Sequence, residues 1–136
     1  MKIHFHIAKN KKAKVVADEL LSLYGQVDLS RAEVIVAVGG DGAMLAAMRE
    51  SITYNIPVFG LNRGNIGFLM NDFHKLNLIE RLEDANEIIV HPLEMVAVDS
   101  KNKKYVELAI NEVAIFRRTH QSAIISIKID DTERLS

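Results

Sequence analysis

Cysteine is missing from all 136 residues, which excludes disulfides and thiolate-bound metal and is compatible with a reducing compartment. An excess of one charge is missing too. Seventeen basic residues face 18 acidic ones, for a formal net charge of −1, so no long-range field draws the chain towards nucleic acid or an anionic membrane. A small polar ligand is the better-matched partner. No apolar run approaches the ~20 residues of a membrane span, and the opening Met1-Lys2-Ile3-His4-Phe5-His6 is too polar for a signal peptide. Internal repeats and low-complexity tracts are also absent. The expectation is a soluble, cytoplasmic protein, and its 49% hydrophobic content suffices for one core of ordinary size.

What is there alternates between two periodicities. Lys2 to Ala8 reads as a first strand, and Asn10 is placed to cap a helix whose stripe is Ala13, Val16, Ala17, Leu20, Leu23 and Tyr24, closed by Gly25. Val34 to Val38 is apolar without alternation, as in a parallel strand covered on both faces. A helix-like stretch from Ala43 to Arg49 follows, then a third strand from Ile56 to Leu61 with Pro57 near its start. The β-α-β-α-β order predicts one parallel sheet with ligand chemistry at its carboxyl ends. Asp72 is read as the cap of a third helix burying Phe73, Leu76, Ile79 and Leu82. From Ile88 the pattern becomes strand-like, over Ile88 to Val98, Tyr105 to Phe116 and Ala123 to Ile129, with a polar turn from Asp99 to Lys104. The fold class is therefore α/β: a Rossmann-like parallel-sheet domain over residues 1–91, then the first strands of an incomplete antiparallel β-rich domain over 92–136.

The most informative segment is Gly39-Gly40-Asp41-Gly42, directly after the second strand. Glycines let backbone N–H groups approach phosphate oxygens closely, helped by the positive end of the following helix. Asp41 cannot itself bind phosphate, because a carboxylate repels it. It can instead accept the proton of an attacking hydroxyl, or face phosphate across a cation, and both are parts of phosphoryl transfer. The competing reading is a tight turn in which Asp41 serves as the helix N-cap. No Gly-Lys-Ser/Thr follows, so the turn is not a P-loop, and Leu45 stands where the dinucleotide fingerprint wants glycine.

A second glycine-rich segment, Gly60-Leu61-Asn62-Arg63-Gly64-Asn65-Ile66-Gly67-Phe68-Leu69, leaves the third strand on the same rim. Arg63 can pair with phosphate or with a carboxylate. Phe68 either stacks on a base or pins the loop to the core. Farther on, Asn111 and Glu112 interrupt the apolar run Leu108 to Ile115; buried there, they would need partners. A ligand is one such partner, and an edge position or bulge is the other reading. His4 and His6 share a strand face at a spacing that can hold metal, but two such ligands read better as ordinary strand histidines. Lys9, Lys11, Lys12 and Lys14 read as a solvated helix face.

Together the Gly-Gly-Asp-Gly turn, the Asn62-to-Leu69 loop and the Asn111-Glu112 pair resemble the NAD kinase family, in order and spacing along the whole chain. The resemblance implies transfer of the terminal phosphate of ATP, or of polyphosphate, to the 2′-hydroxyl of the adenosine ribose of NAD, giving NADP. It implies Asp41 as general base, Asp41, Gly42, Phe68, Asn111 and Glu112 as NAD contacts, and Gly39 and Gly40, with Arg63 beside them, at phosphates. It also implies a divalent cation, usually magnesium, for which no protein ligand can be named, and assembly into dimers or tetramers. Lipid kinases of the diacylglycerol and sphingosine type share the turn but not the loop or the Asn-Glu pair. A nucleotide-binding remnant without catalysis is a further alternative. Family members continue into an Asp-Gly element and a Thr-Pro-x-Gly-Ser-Thr-Ala-Tyr-like segment that this sequence lacks, so the expectation is an N-terminal portion with little activity by itself.

Overall fold

The computed structural model describes residues 1–135, leaving Ser136 outside the described residues. In chain order the elements are β1 (Ile3–Ile7), α1 (Lys11–Tyr24), β2 (Val34–Gly39), α2 (Asp41–Tyr54), β3 (Val58–Asn62), α3 (Leu78–Glu83), β4 (Leu93–Val98), β5 (Lys104–Ala109), β6 (Ile127–Ile129) and β7 (Thr132–Leu135), with a 3-10 turn at Leu29–Arg31. The first three strands form one parallel sheet in the order β1-β2-β3. Every residue of β2 is buried, as its unbroken apolar run requires.

Alternation along β2 sends its side chains to two different apolar clusters. Val34, Val36 and Val38 join Ala13, Val16 and Leu20 of α1 and Leu78 of α3. Ile35 and Ala37 join Ala47 of α2, with Met44, Ile56 and Val58 against them. The sheet is thus covered on one face by α1 and α3 and on the other by α2. All three strands end at one rim, where Gly39 pairs in register with Asn62 and the Ala8 amide donates to the Val38 carbonyl at 2.9 Å.

Helix α1 begins as its sequence indicates: Asn10 Oδ1 accepts from the Ala13 amide at 2.8 Å, and Gly25, at φ 74°, closes the last turn. Its stripe differs at one position. Leu23 is 53% exposed, whereas Leu21 packs against the core. At about 100° per residue the two lie on opposite flanks of the stripe, and the core covers only the Leu21 side.

Helix α3 departs further from its reading. It is six residues long, and Asn77, at φ 57°, sits in the left-handed region just before it, so 72–77 cannot continue a helix. Phe73 still packs on the core from the preceding loop, but Leu76 is 60% exposed, and the fully buried anchor is Leu78. Tyr24 secures this entry. Its hydroxyl donates to the Lys75 carbonyl at 2.7 Å and accepts from the Leu78 amide at 3.2 Å, so an otherwise unpartnered helix-start donor is satisfied from α1.

Beyond α3 the strands are shorter than the apolar runs suggest. β4 and β5 form an antiparallel hairpin, and residues 88–92 and 110–116 lie outside it. The expected strand from Ala123 reduces to β6, which pairs with β7, a strand not anticipated, through Asp130 and Asp131, both at positive φ. Extended backbone needs a neighbouring strand to take its N–H and C=O groups. Among the described residues each of these hairpins has two strands and no third. The buried apolar core is drawn from residues 3–78.

Candidate functional site

At the carboxyl end of β2 the chain must turn into α2 within a packed space. A Cβ on Gly39 would lie 2.7 Å from the Cβ atoms of both Ala8 and Ala43, so only bare backbone fits. Gly40 is the N-cap, in extended conformation and without a side-chain capping bond, and Asp41 is the first residue of α2. This corrects the reading of Asp41 as the cap. Its carboxylate instead reaches across to the loop after β3, where Oδ1 accepts from the Leu69 amide at 2.9 Å and Oδ2 from the Phe68 amide at 3.1 Å.

That loop is closed at its base. The Asn62 amide donates to the Asn71 carbonyl at 2.9 Å, and the Asn71 amide to the Gly60 carbonyl at 3.0 Å. Within it, Asn62 Oδ1 accepts from the Gly64 amide at 2.9 Å. The two glycine segments then meet backbone to backbone. The Arg63 amide donates to the Gly39 carbonyl, and a Cβ on Gly64 would stand 3.0 Å from the Gly40 Cα. On the other side of the turn nothing crowds Gly42, where an added Cβ has no neighbour within 4 Å. Phe68 is 89% exposed, so its ring does not pin the loop to the core.

Arg63 turns towards an aromatic ring rather than a carboxylate. Its guanidinium lies 4.5 Å from the centre of the Phe73 ring, and its Nε is buried without a hydrogen-bond partner. Among the described residues it forms no ion pair. Asn111 and Glu112 lie outside the expected strand: β5 ends at Ala109, and both residues are exposed. Water can therefore satisfy them, and the cost of burying them unpaired does not arise here.

His4 and His6 do share a face of β1. His4 Nδ1 donates to the Val27 carbonyl at 2.8 Å, and His6 Nδ1 lies 3.1 Å from Glu50 Oε2, a carboxylate brought there from 44 positions along the chain. Among the described residues no group of three or more His, Asp or Glu side chains is placed to hold a metal ion. The lysines from Lys9 to Lys14 are exposed as expected, but Lys12 also reaches the loop, donating to Asn65 Oδ1 at 2.7 Å. Sequence reading missed both this contact and the amides that hold Asp41. Neither carries a local signal, since each joins residues far apart in the chain. No helix among the described residues is long and apolar enough to cross a membrane.

A three-stranded parallel α/β unit with a carboxylate among glycines at the carboxyl rim of its central strand belongs to the open-sheet class, in which ligands bind at that rim. The profile of the ATP-NAD kinase N-terminal domain matches residues 3–91. The chain is 40% identical over 134 residues to an NAD kinase of Caulobacter vibrioides, covering 98% of this chain and 52% of that protein. It is 41% identical over 128 residues to an NAD kinase of Rickettsia canadensis, covering 94% and 50%, and 42% identical over 125 residues to one of Rhizobium meliloti, covering 92% and 49%. The chain belongs to the NAD kinase family. It spans about half the length of the curated relatives it matches. These relatives do not favour the lipid-kinase reading of the glycine turn.

Proposed function

We propose that this chain forms the acceptor-activating part of an NAD kinase, which moves the terminal phosphoryl group of ATP or polyphosphate to the 2′-hydroxyl of the adenosine ribose of NAD. The observation that carries the reading is Asp41, fixed on the first turn of α2 at the sheet rim with open space beside Gly42. Each carboxylate oxygen accepts one backbone amide and keeps a further acceptor site. In the step, the ribose oxygen attacks the terminal phosphorus, its proton passes to Asp41, and the bond from that phosphorus to the leaving oxygen of the donor breaks.

Gly39 and Gly40 line the phosphates with backbone, near the positive end of α2. Arg63, with an unpartnered Nε, is the cation of the neighbouring loop. Gly42 and the exposed Phe68 border the adenosine pocket, and Asn111 and Glu112 hold the adenosine from the segment after β5. A divalent cation accompanies the phosphate donor in this reading. The working enzyme is a cytoplasmic homo-oligomer, a dimer or tetramer, with residues 1–91 as the α/β domain and 92–136 as the start of a β-rich one.

The test is NADP formation by the full gene product supplied with NAD, ATP and magnesium, beside parallel reactions offering diacylglycerol or sphingosine. NADP is the expected product; lipid phosphorylation without NADP would overturn the proposal. The 136-residue chain alone is expected to turn over far more slowly than a full-length relative, because relatives carry about as much chain again.

A further inference from the structure

We propose that Asn62 is a positioning residue that sets the orientation of the Asp41 carboxylate through the turn Gly67–Met70. The inference rests on the reading of Asp41 as the base. A carboxylate on the first turn of a helix can rotate about two side-chain bonds, and proton transfer works only from some of the resulting positions. Here both oxygens are fixed by two adjacent amides, those of Phe68 and Leu69.

What aims those amides is a tight turn, in which the Met70 amide returns to the Gly67 carbonyl at 3.4 Å. Phe68 and Leu69 are its central residues, and their N–H groups converge on one carboxylate. The turn is seated on Asn62. A Cβ on Gly67 would lie 2.9 Å from both Cγ and Nδ2 of Asn62, so the bare Gly67 backbone rests against that side-chain amide. On its other limb the loop is tied to the same side chain, through the Gly64 amide on Oδ1. Asn62 therefore stands between the two limbs of the loop and spaces them. It does so from the end of β3, in register with Gly39 at the start of the glycine turn that carries Asp41. A strand residue thus transmits the position of the sheet rim to the carboxylate without touching it.

Chemistry at Asn62 follows from this. The position needs a planar side chain of this size with an oxygen that accepts from Gly64. Asn62 Nδ2 has no hydrogen-bond partner among the described residues, so aspartate keeps the one bond that matters. Leucine keeps the bulk and loses the acceptor; alanine loses both.

Two measurements test the proposal. Amide hydrogen exchange by NMR on the 136-residue chain reads the turn directly. Asn62→Leu and Asn62→Ala are each expected to speed exchange at Phe68 and Leu69 by about tenfold, as for loss of one supporting hydrogen bond, with Val36 and Val38 unchanged. In kinase assays of the full gene product, the same variants lower kcat by about 10- to 100-fold, the scale of a misplaced catalytic group, with KM for ATP little altered. Asn62→Asp restores both readouts, and adding Asn62→Ala to Asp41→Asn lowers kcat no further.

Unchanged exchange at Phe68 and Leu69, or an undiminished kcat, would overturn the proposal. Loss of protection at Val36 in both the leucine and alanine variants would overturn it too, marking Asn62 as a general structural residue. If Asp41→Asn slows turnover while Asn62→Ala does not, only the positioning role fails. If Asp41→Asn leaves turnover intact, the base assignment is what fails, and the exchange data still decide whether Asn62 orients the carboxylate.

Discussion

Asp41 Oδ1 lies 2.9 Å from the backbone nitrogen of Leu69, a residue 28 positions farther along the chain. With Phe68 donating to the other oxygen, the acidic side chain at the sheet rim accepts a backbone amide at each oxygen. Such bonds to a charged acceptor are roughly twice as strong as neutral ones, and they tie the two glycine segments into one unit.

Replacing Asp41 by asparagine keeps the shape of the side chain and removes its basicity. It also turns an NH₂ group towards one of the two backbone donors. Turnover in the full gene product is expected to fall by roughly 10²- to 10⁴-fold, with NAD affinity changed far less. Steady-state kinetics and calorimetric titration separate the two effects, and an unchanged kcat would remove Asp41 from the base role.

The two faces of the glycine turn should respond differently to alanine. Gly64→Ala puts a methyl group 3.0 Å from the Gly40 Cα, and should cost about 1–3 kcal/mol, the range for overpacking. Gly42→Ala meets nothing within 4 Å. It should leave the urea midpoint unchanged or raised, since alanine is the better helix former, while weakening NAD binding through bulk on the open side. Equal destabilisation by both variants would contradict the geometry.

Tyr24→Phe removes one oxygen and leaves two groups, the Lys75 carbonyl and the Leu78 amide, without their partner. The exposed Lys75 carbonyl turns to water, whereas the part-buried Leu78 amide is left short of a partner at a cost of about 1 kcal/mol, and the loss should appear in urea as a lower midpoint at constant slope. A variant as stable as the parent would show that Tyr24 holds α3 by its ring alone.

Asp99 gives the β4–β5 turn a pH dependence. The backbone amides of Lys103 and Lys101 donate to its Oδ1 and, with the Tyr105 hydroxyl, hold its carboxyl below the ordinary aspartate value. A lowered pKa in the folded state means that the stabilising contribution is full above the unfolded value and is lost as pH falls through the folded one. Amide shifts of Lys101 and Lys103 followed by NMR should therefore change with a midpoint under the usual aspartate range. In Asp99→Asn the change should vanish. A midpoint at or above that range would count against the turn.

Much of the α/β half was legible because its signals are local. The Val34–Val38 run suits a strand covered on both faces, Asn10 and Gly25 bracket α1 with their own side-chain and backbone preferences, and Pro57 marks the entry to β3. The third helix was misread because Phe73, Leu76, Ile79 and Leu82 have helical spacing, whereas Asn77 in a left-handed conformation overrides it. The later strands were overextended for a related reason. Apolar composition shows what backbone can extend, but pairing needs a neighbour, and residues 110–116 have none among those described.

From the residues alone came the order of strands and helices as far as β6, the glycine turn with its acid, and the loop that follows β3, since each depends on side-chain pattern and backbone freedom within a few neighbours. Tertiary structure decided which glycines are bare because another backbone touches them and which face open space. It also decided that Asp41 is gripped by Phe68 and Leu69 rather than capping its own helix. Those relations arise only when chain segments separated by a whole βα unit are brought to one sheet edge, where burial and hydrogen-bond geometry, not local preference, fix what each group can reach.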